Sequence, residues 1–394
     1  MPSKLRIVHV ITRFVNGGAD ENTLLTCNHQ AEAGHEVWLV HGWERTARMT
    51  GMLDPRVKSV ELGALVRDIS PLDDLRALFG LAALYRRVRP DIVHTHTSKA
   101  GILGRLAAPA WLPARVIHGV HILPFTNEPF LKRSIYLLLE KLAALRTHAF
   151  IDVSEGMRDL CLAHSLGTDS NHFVIRSGMD VSRFREAAPA GDLAALREGR
   201  DGAVIAGYVA VLERRKRHRE LIGAMAPLLR AHPQLVLVFA GDGPERPALE
   251  LLVEREGIGA QVRFLGFRED VDCVVAACDI CVFASEREGL PRSVVQYVIG
   301  GKPVVAASLP GIERVVVHER NGFVSPGEDL GGLADGVKRL LADASLRQRF
   351  AAGSAAMDLS EWDARSMTNR IADVYSLYLG ADTASAQEAE PQIR

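Results

Sequence analysis

The sequence lacks the features that mark membrane-spanning, secreted and nucleic-acid-binding proteins. None of its apolar runs approaches the roughly 18–20 residues that a transmembrane helix needs. Its 47 Lys and Arg against 48 Asp and Glu give a formal net charge of −1, without the basic excess of a nucleic-acid-binding protein. Five cysteines, an odd number in a long chain, favour reduced thiols in a cytosol. We therefore expect a cytoplasmic protein that does not bind nucleic acid.

Three short stretches lack residues that a signal peptide, a metal site or a dinucleotide-binding turn requires. The first apolar run is interrupted by Arg13 and has no cleavage signature, so we interpret it as a strand and not as a signal peptide. Cys273, Cys278 and Cys281 fall on an apolar helix and strand without a nearby histidine, which favours buried packing over metal binding. Gly241–Arg246 has the first two glycines of a G-x-G-x-x-G turn but lacks the third, which disfavours a nicotinamide-dependent oxidoreductase. We expect no bound metal and no cofactor.

Short β-rich runs alternate with helical windows along the chain, which predicts an α/β protein with parallel sheets. At 394 residues the chain is too long for one core, and the polar, Pro- and Gly-containing segment 184–191 is a suitable boundary. We expect a first domain at 1–186, a second at 192–358, a final helix at 360–379 and a disordered tail at 380–394. Each domain is predicted to be doubly wound and to bind ligands at the carboxyl edge of its sheet.

Eleven strands are predicted from the apolar runs. They are Leu5–Ile11, Gly34–Gly42, Asp91–His96, Arg115–His121, Ala149–Val153, Phe173–Ile175, Val204–Leu212, Leu235–Ala240, Val262–Leu265, Ile280–Ala284 and Pro303–Ala307.

The stretch from Ser285 to Val305 is the most informative local pattern. A buried strand precedes it, Pro291 suits the first turn of a helix, and Glu288 falls on the turn between them. Backbone N–H groups at such a helix start suit phosphate oxygens, and a carboxylate beside them could bind sugar hydroxyls. An ordinary βαβ turn with a surface glutamate explains the turn alone equally well.

Ten motifs along the chain, in this order, carry a resemblance to a known family. They are NGGADENTLL (Asn16–Leu25), GHEV (Gly34–Val37), RPDIVHTHTSKAGILGRLAA (Arg89–Ala108), VIHGVH (Val116–His121), VIRSGMDVSRF (Val174–Phe184), FAGDGPE (Phe239–Glu245), VRFLGFREDV (Val262–Val271), EGLP (Glu288–Pro291), GGKPVV (Gly300–Val305) and NGFVSPGEDL (Asn321–Leu330). Together they resemble the retaining, nucleotide-sugar-dependent glycosyltransferases of family 4. The resemblance implies the GT-B architecture: two Rossmann-like domains facing across a cleft, an acceptor-binding first domain, a nucleotide-sugar-binding second domain, and a C-terminal helix that crosses back to the first.

The resemblance assigns the donor site to the second domain. Glu288 matches the family's first acid, which holds the donor sugar and helps to stabilise the oxocarbenium-like transition state. The second acid of that pair, which binds ribose hydroxyls, is replaced here by Gln296, and an amide offers only one acceptor group. Lys216 matches the basic residue on the diphosphate. Because the family's usual arginine is Val211 here, we expect an arginine of 213–220 to assist, and Arg215 is our candidate.

Further site residues follow from the same motifs. Gly17 and Gly18 match the first domain's loop at the diphosphate and acceptor, and His121 matches a histidine directed at the donor sugar. Besides these, the residues matching the donor site are Gly266, Phe267 and Arg268 at the base, Gly289, Leu290 and Pro291 beside Glu288, and the loop Pro310–Glu313 near the phosphates. His94, His96 and His118 compete with His121, but His94 and His118 sit inside strands, where a neutral, packed ring is expected.

The function that the resemblance implies is transfer of a sugar, with retention, from a UDP- or GDP-sugar to a hydroxyl of a glycan or lipid-linked acceptor. Such transfer serves cell-surface polysaccharide or glycolipid synthesis, and a leaving phosphate oxygen takes the acceptor's proton. Two alternatives remain open. One is another enzyme of the same fold, such as an epimerase or a phosphorylase, and the other is a weakly active or non-catalytic partner subunit, suggested by Gln296 and Val211.

The segment 124–146 has two interpretations. Its apolar residues beside Lys132 and Arg133 could rest on an anionic membrane surface, placing the enzyme peripherally at the inner face of the membrane. Alternatively it is a core helix with a charged outer edge, which is the interpretation the pattern favours.

Overall fold

The computed structural model describes residues 4–109, 111–121, 123, 129–198, 200, 202–286, 288, 291–309 and 311–380. These residues form two compact units. The first contains the described residues up to Met179 and those from Ser360 onward, and the second is Asp180–Leu359. Each unit has a wholly parallel sheet with helices between its strands, so the predicted α/β class with two doubly wound sheets is confirmed.

The sheet of the first unit has seven parallel strands in the order β3-β2-β1-β4-β5-β6-β7. They are β1 (Arg6–Ile11), β2 (Glu36–His41), β3 (Lys58–Glu61), β4 (Ile92–His96), β5 (Arg115–Val120), β6 (Ala149–Asp152) and β7 (His172–Val174). The central strands are buried on both faces, which is why they appear in the sequence as continuous apolar runs. The strand order reverses between β1 and β4, so a crevice can open at their carboxyl ends.

Helices cover both faces of this sheet. They are α1 (Gly18–Glu32), α2 (Ala47–Gly51), α3 (Pro71–Val88), α4 (Ser98–Ala107), α5 (Phe130–Ala144) and α6 (Glu155–Ala163). Local chemistry fixes several of their ends: Pro71 opens α3, and the Ser154 hydroxyl accepts a hydrogen bond from the Met157 N–H at the start of α6. A buried ion pair joins α4 to α5, between Arg105 Nη2 and Glu140 Oε2 at 2.5 Å.

The second unit repeats the pattern with six parallel strands in the order β10-β9-β8-β11-β12-β13. The strands are β8 (Val204–Val209), β9 (Leu235–Ala240), β10 (Val262–Gly266), β11 (Ile280–Phe283), β12 (Val304–Ala307) and β13 (Gly322–Ser325). The helices are α7 (Val181–Arg185), α8 (Gly191–Ala194), α9 (His218–Ala231), α10 (Arg246–Arg255), α11 (Val271–Ala277), α12 (Arg292–Ile299), α13 (Leu330–Ala342) and α14 (Ala344–Ala355). Here the strand order reverses between β8 and β11.

The last helix, α15 (Ala364–Gly380), packs on the first unit, as the predicted architecture requires. Met367, Ile371, Val374 and Tyr375 of this helix share one apolar cluster with core residues of β1, β4 and β5. The described part of the chain contains no helix that is both long and apolar enough to cross a membrane.

Two strands are not predicted by the sequence pattern. The β3 strand is an edge strand whose residues Lys58, Ser59 and Glu61 are exposed, so no buried run marks it. The β13 strand is short and begins at Gly322, and glycine is depleted in strands. A Cβ on Gly322 would lie 2.2 Å from the Val304 carbonyl oxygen, so close strand packing requires glycine there.

Candidate functional site

The candidate site of the second unit lies at the carboxyl ends of β8 and β11, where the strand order reverses. Lys216 belongs to the connection that follows β8, and Glu288 belongs to the one that follows β11. Parallel strands that are neighbours in a sheet bring their carboxyl ends together, so residues 72 positions apart in the chain become neighbours. The structure therefore brings together the two residues that carry the predicted donor chemistry.

Three side chains converge on one oxygen of Glu288. Lys216 Nζ contacts Glu288 Oε1, while Arg215 Nη1 and the Ser285 hydroxyl donate to the same oxygen, each at 3.0 Å. The side chains of Lys216 and Glu288 are only 13% and 15% exposed, whereas Arg215 is 46% exposed. The carboxylate is therefore mostly buried and lies beside two cationic groups. Ser285 was not predicted, because its contact depends on how the turn folds back.

The position of Lys216 is fixed by the backbone around it. Arg214–Lys216 forms a 3-10 turn, and Arg217 ends it with a left-handed backbone at φ 56° before α9 begins. The buried Tyr208 hydroxyl donates to the Lys216 carbonyl oxygen at 2.9 Å. The ring of His218 stacks on Tyr208 with centroids 4.8 Å apart, and burial, aided by the nearby Lys216 charge, lowers the pKa of His218 to about 3. His218 thus supports the turn as a neutral, packed ring.

The residues predicted to frame the base behave differently from one another. Gly266 ends β10 with φ at +70°, a left-handed conformation that a residue with a Cβ adopts with strain. Phe267 is 56% exposed. Arg268 donates to Asp192 at 2.6 Å and to Asp270 at 2.7 Å, so its guanidinium is already held by two carboxylates. We infer that Arg268 shapes this edge of the unit through those ion pairs.

Two further predicted residues of the donor site, Pro291 and Gln296, lie at the start of α12 and within it. Pro291 is buried and directly precedes α12, as expected for the helix start. Gln296 is half-buried within α12, just over one turn from that start, and its ribose contact stays a prediction. Gly289, Leu290 and Pro310 lie outside the described residues.

The predicted residues of the first unit lie at the carboxyl edge of its own sheet. Gly17 caps α1, and its N–H donates to Asp20 Oδ2 at 3.0 Å, while Gly18 is the first residue of that helix. Burial raises the pKa of Asp20 to about 6. His121 directly follows β5, is half-buried, and its Nε2 lies 3.4 Å from His96 Nδ1. Their roles in binding a donor stay predictions.

The histidines expected to be packed in strands are buried. His94 and His118 are 1% and 4% exposed, and burial lowers the pKa of each well below its ordinary value. His9 and His96 are buried beside them, and sequence reasoning missed His9 altogether. Among the described residues, two buried groups bring together atoms that could hold a metal ion. His9, His94 and His96 would offer three ring nitrogens, whereas Asp152, Cys161 and His172 would offer a carboxylate oxygen, a sulfur and a ring nitrogen.

The outer surface of α5 carries exposed apolar side chains as well as the expected charged ones. Five exposed side chains at helical spacing form the stripe Leu131, Ile135, Leu138, Leu142 and Leu145. The other side of the helix is the core face: Glu140 and Ala143 are buried, and Tyr136 and Leu137 pack on an apolar cluster. The exposed charges of α5 are the cations Lys132, Arg133 and Lys141.

Comparison with protein families gives two adjoining matches. Residues 16–183 match the model for "Glycosyltransferase Family 4", and residues 197–357 match the model for "Glycosyl transferases group 1". Among similar proteins, an Escherichia coli UDP-Gal:alpha-D-GlcNAc-diphosphoundecaprenol alpha-1,3-galactosyltransferase is 27% identical over 86% of this chain and 89% of its own length. A protein of Bacillus subtilis (strain 168) named "Putative glycosyltransferase EpsD" is 30% identical over 76% of this chain and 82% of its own length.

Solved structures share the fold at low sequence identity. Anabaena Alr3699/HepE in complex with UDP superposes with a TM-score of 0.78 at 21% identity, covering 95% of this chain and 100% of the other. WaaG, a glycosyltransferase involved in lipopolysaccharide biosynthesis, gives a TM-score of 0.73 at 16% identity, covering 94% of this chain and 99% of the other.

Proposed function

Because the chain belongs to the glycosyltransferases of family 4, we propose that it transfers a sugar from a UDP-sugar to a hydroxyl of a lipid-linked glycan, with retention of the anomeric configuration. The supporting observation is the cluster of Glu288, Lys216, Arg215 and Ser285 at the carboxyl edge of the second sheet. It combines a carboxylate for a sugar with cations for a diphosphate.

The two cations supply the charge that the leaving group requires. As the bond between sugar and phosphate breaks, negative charge develops on the diphosphate, and preorganised cations in a partly buried site stabilise it. Lys216 and Arg215 both contact Glu288 Oε1, so an arriving diphosphate competes with the carboxylate for them. Binding of the donor would then release Glu288 towards the sugar.

The reaction proposed is a substitution on one face of the sugar. The acceptor hydroxyl forms a bond to the anomeric carbon on the face from which the diphosphate departs. Its proton passes to a phosphate oxygen of the leaving nucleoside diphosphate. Glu288 stabilises the positive charge that develops on the ring, and retention results because attack and departure use the same face.

The choice of donor and acceptor class rests on the similar proteins. The E. coli relative is named for UDP-Gal and for a diphosphoundecaprenol-linked sugar, and the Anabaena structure contains UDP. We therefore favour a UDP-sugar over a GDP-sugar, and an acceptor whose sugar is joined to a lipid by a diphosphate. Polysaccharide or glycolipid synthesis is the process that consumes such acceptors.

A panel of nucleotide sugars tests this function. UDP-sugars at about 100 times their dissociation constant should raise the melting temperature of the full chain by about 5 °C, because selective binding stabilises the folded state. One of them should also be hydrolysed slowly without acceptor. Lys216→Ala should lose most of both effects. Absence of protection by every UDP-, GDP- and ADP-sugar would refute the proposal, and protection without hydrolysis or transfer would indicate a non-catalytic subunit.

We also propose that α5 rests on the surface of an anionic membrane, where lipid-linked acceptors reside. Its exposed stripe is continuous over four helical turns, and the only acid of this helix, Glu140, is buried against Arg105. The accessible charge of α5 is therefore positive, which suits anionic head groups at about 1 kcal/mol for each cation near the surface. The apolar stripe can enter the boundary between head groups and acyl chains.

Sedimentation with lipid vesicles tests the membrane proposal. The chain should bind vesicles that contain phosphatidylglycerol and not pure phosphatidylcholine vesicles, and binding should fall as salt is raised. The double variant Leu131→Gln, Leu138→Gln should reduce binding at least tenfold, since about 1.5–3 kcal/mol is at stake for each leucine buried. Leu251→Gln, which changes an exposed leucine of α10, is the matched control. Equal binding by both variants would contradict the proposal.

A further inference from the structure

Six buried or half-buried side chains of the first unit form one continuous series of hydrogen bonds, which we call the histidine chain. Its members, in order, are His121, His96, His9, Gln30, Tyr375 and His94. The contacts are His121 Nε2 to His96 Nδ1 at 3.4 Å, His96 Nε2 to His9 Nδ1 at 2.9 Å, His9 Nε2 to Gln30 Oε1 at 2.8 Å, Gln30 Nε2 to the Tyr375 hydroxyl at 3.3 Å, and that hydroxyl to His94 Nδ1 at 2.7 Å.

The strand pairing explains why these rings meet. His9 of β1 lies opposite His94 of β4 in the sheet, and His96 follows two residues later on the same face. Gln30 of α1 and Tyr375 of α15 cover that face. Because a Cβ on Gly119 would lie 3.2 Å from His96 Nδ1, 3.3 Å from His121 Nε2 and 3.4 Å from His94 Nε2, glycine in β5 leaves room for the three rings.

Three enclosed rings of the histidine chain, those of His9, His94 and His96, are neutral at physiological pH. Burial lowers the pKa of His9 to about 4 and the pKa of His94 and His96 well below the ordinary value. A neutral imidazole has one N–H donor and one acceptor nitrogen. Each hydrogen bond of a neutral ring therefore fixes the role of its other nitrogen.

Because of this constraint, the orientation of the Gln30 amide determines the donor and acceptor nitrogens of each ring as far as His121. The amide oxygen of Gln30 can only accept, so His9 carries its proton on Nε2 and accepts at Nδ1. His96 must then donate from Nε2 and accept at Nδ1. The nitrogen of His121 that faces His96 is consequently a donor, so His121 carries a proton on Nε2.

At the other end of the histidine chain, the Gln30 amide also determines the tautomer of His94. The Gln30 N–H group donates to the Tyr375 hydroxyl, which donates in turn to His94 Nδ1. His94 then carries its proton on Nε2, and that buried nitrogen has no hydrogen-bond partner among the described residues. The opposite orientation of the Gln30 amide would exchange donor and acceptor in every hydrogen bond of the histidine chain. One side chain therefore selects between two self-consistent arrangements of hydrogen bonds.

We propose that Gln30, His9 and His96 are positioning residues that hold His121 in its Nε2–H tautomer. The significance of this inference rests on the proposed function, which places His121 at the donor sugar. In this tautomer a neutral His121 accepts a hydrogen bond at Nδ1, which suits a sugar hydroxyl. With the hydrogen bonds of the histidine chain reversed, His121 Nδ1 would be a donor, which suits a phosphate oxygen.

NMR of the full chain labelled with 15N-histidine tests the tautomer without any substrate. In a neutral ring the protonated and unprotonated nitrogens have widely separated 15N resonances, and His121→Gln identifies the His121 pair by its loss. We expect an Nε2–H ring for His121 in the unchanged protein. Gln30→Leu removes the acceptor of His9 and should collapse the separation through exchange between tautomers.

Two further variants separate positioning from structural support. Gln30→Glu keeps an acceptor oxygen for His9, so it should preserve the Nε2–H tautomer of His121. Gly119→Ala removes no hydrogen-bonding group but places a methyl against His96 and His121, so it should perturb the same resonances even if Gln30→Leu fails to fold. In transfer assays, Gln30→Leu should lower kcat by about tenfold to a hundredfold with little change in KM, because it misorients a group at the donor.

The NMR results test the proposed tautomer of His121 independently of the enzyme activity. An Nδ1–H ring in the unchanged protein would overturn the proposal. So would a His121 spectrum that neither Gln30→Leu nor Gly119→Ala alters from that of the unchanged protein. Stoichiometric displacement of the His9, His94 and His96 resonances by added Zn²⁺ would overturn it in favour of a metal site. A confirmed tautomer in a chain that transfers no sugar would leave the hydrogen-bond chain intact and refute only the proposed function.

Discussion

Replacement of Glu288 by alanine is expected to reduce sugar transfer by about a hundredfold to a thousandfold, which is the usual loss when one electrostatic contact to a transition state is removed. The carboxylate would stabilise positive charge that exists only while the glycosidic bond is breaking. Nucleotide affinity should be retained or increase, because Lys216 and Arg215 each lose an anionic partner and present more positive charge to a diphosphate. Turnover numbers and UDP dissociation constants measured on the same preparation give both quantities.

Glu213→Ala provides the matched control for this experiment. Glu213 Oε1 pairs with Arg215 Nη2 at 2.6 Å, and no contact joins Glu213 to Glu288 among the ion pairs of the described residues. Its loss alters the local charge by the same amount and should leave turnover within a few fold of the original. Equal losses of turnover and nucleotide affinity in Glu288→Ala would contradict a role in the transition state and indicate that the residue only holds the turn together.

The first unit is expected to lose stability steeply as the pH falls from about 6.5 to 4. His9, His94, His96 and His118 have lowered pKa values in the folded state, so only the unfolded chain takes up their protons in this range. Stability is therefore fully present above the unfolded pKa of 6.5 and decreases below it. Asp20 and Asp152, whose pKa values burial raises, act in the opposite direction. These four rings set against these two acids give a net uptake of about two protons on unfolding, which corresponds to about 3 kcal/mol per pH unit.

Tryptophan fluorescence during urea unfolding measures this effect on the first unit alone. The four tryptophans of the chain, Trp38, Trp43, Trp111 and Trp362, all belong to that unit. His118→Leu removes one of the four buried groups and should reduce the slope of stability against pH by about 1.4 kcal/mol per unit. A free energy of unfolding that stays constant between pH 7 and 5 would contradict a net uptake of protons on unfolding.

The sequence predicts most of the fold because the sheets are parallel and buried. Strands such as Leu235–Ala240 are enclosed on both faces, so their residues form uninterrupted apolar runs between helical windows. The edge strand β3 and the glycine-initiated β13 lack that signature, and their identity depends on pairing with a neighbouring strand. Local composition cannot specify such a pairing.

The candidate site is predicted only in part. The resemblance supplies Glu288 and Lys216, and the strand order of the second sheet brings them together. It does not supply the Ser285 hydroxyl, because that contact is set by the path of one turn. The histidine chain is harder still to predict: His9, Gln30, His94 and Tyr375 come from β1, α1, β4 and α15, and their contacts depend on strand register and on where the final helix packs.

The packing of α15 also constrains the order in which the protein can be made. The interior of the first unit includes Met367, Ile371, Val374 and Tyr375, which the ribosome adds only after the whole second unit. Domains generally fold as units during synthesis. The later-encoded unit can therefore reach its final state while the earlier-encoded one still waits for its last helix. A chain released early, after Leu359, would carry one finished half and one half with an open apolar seam.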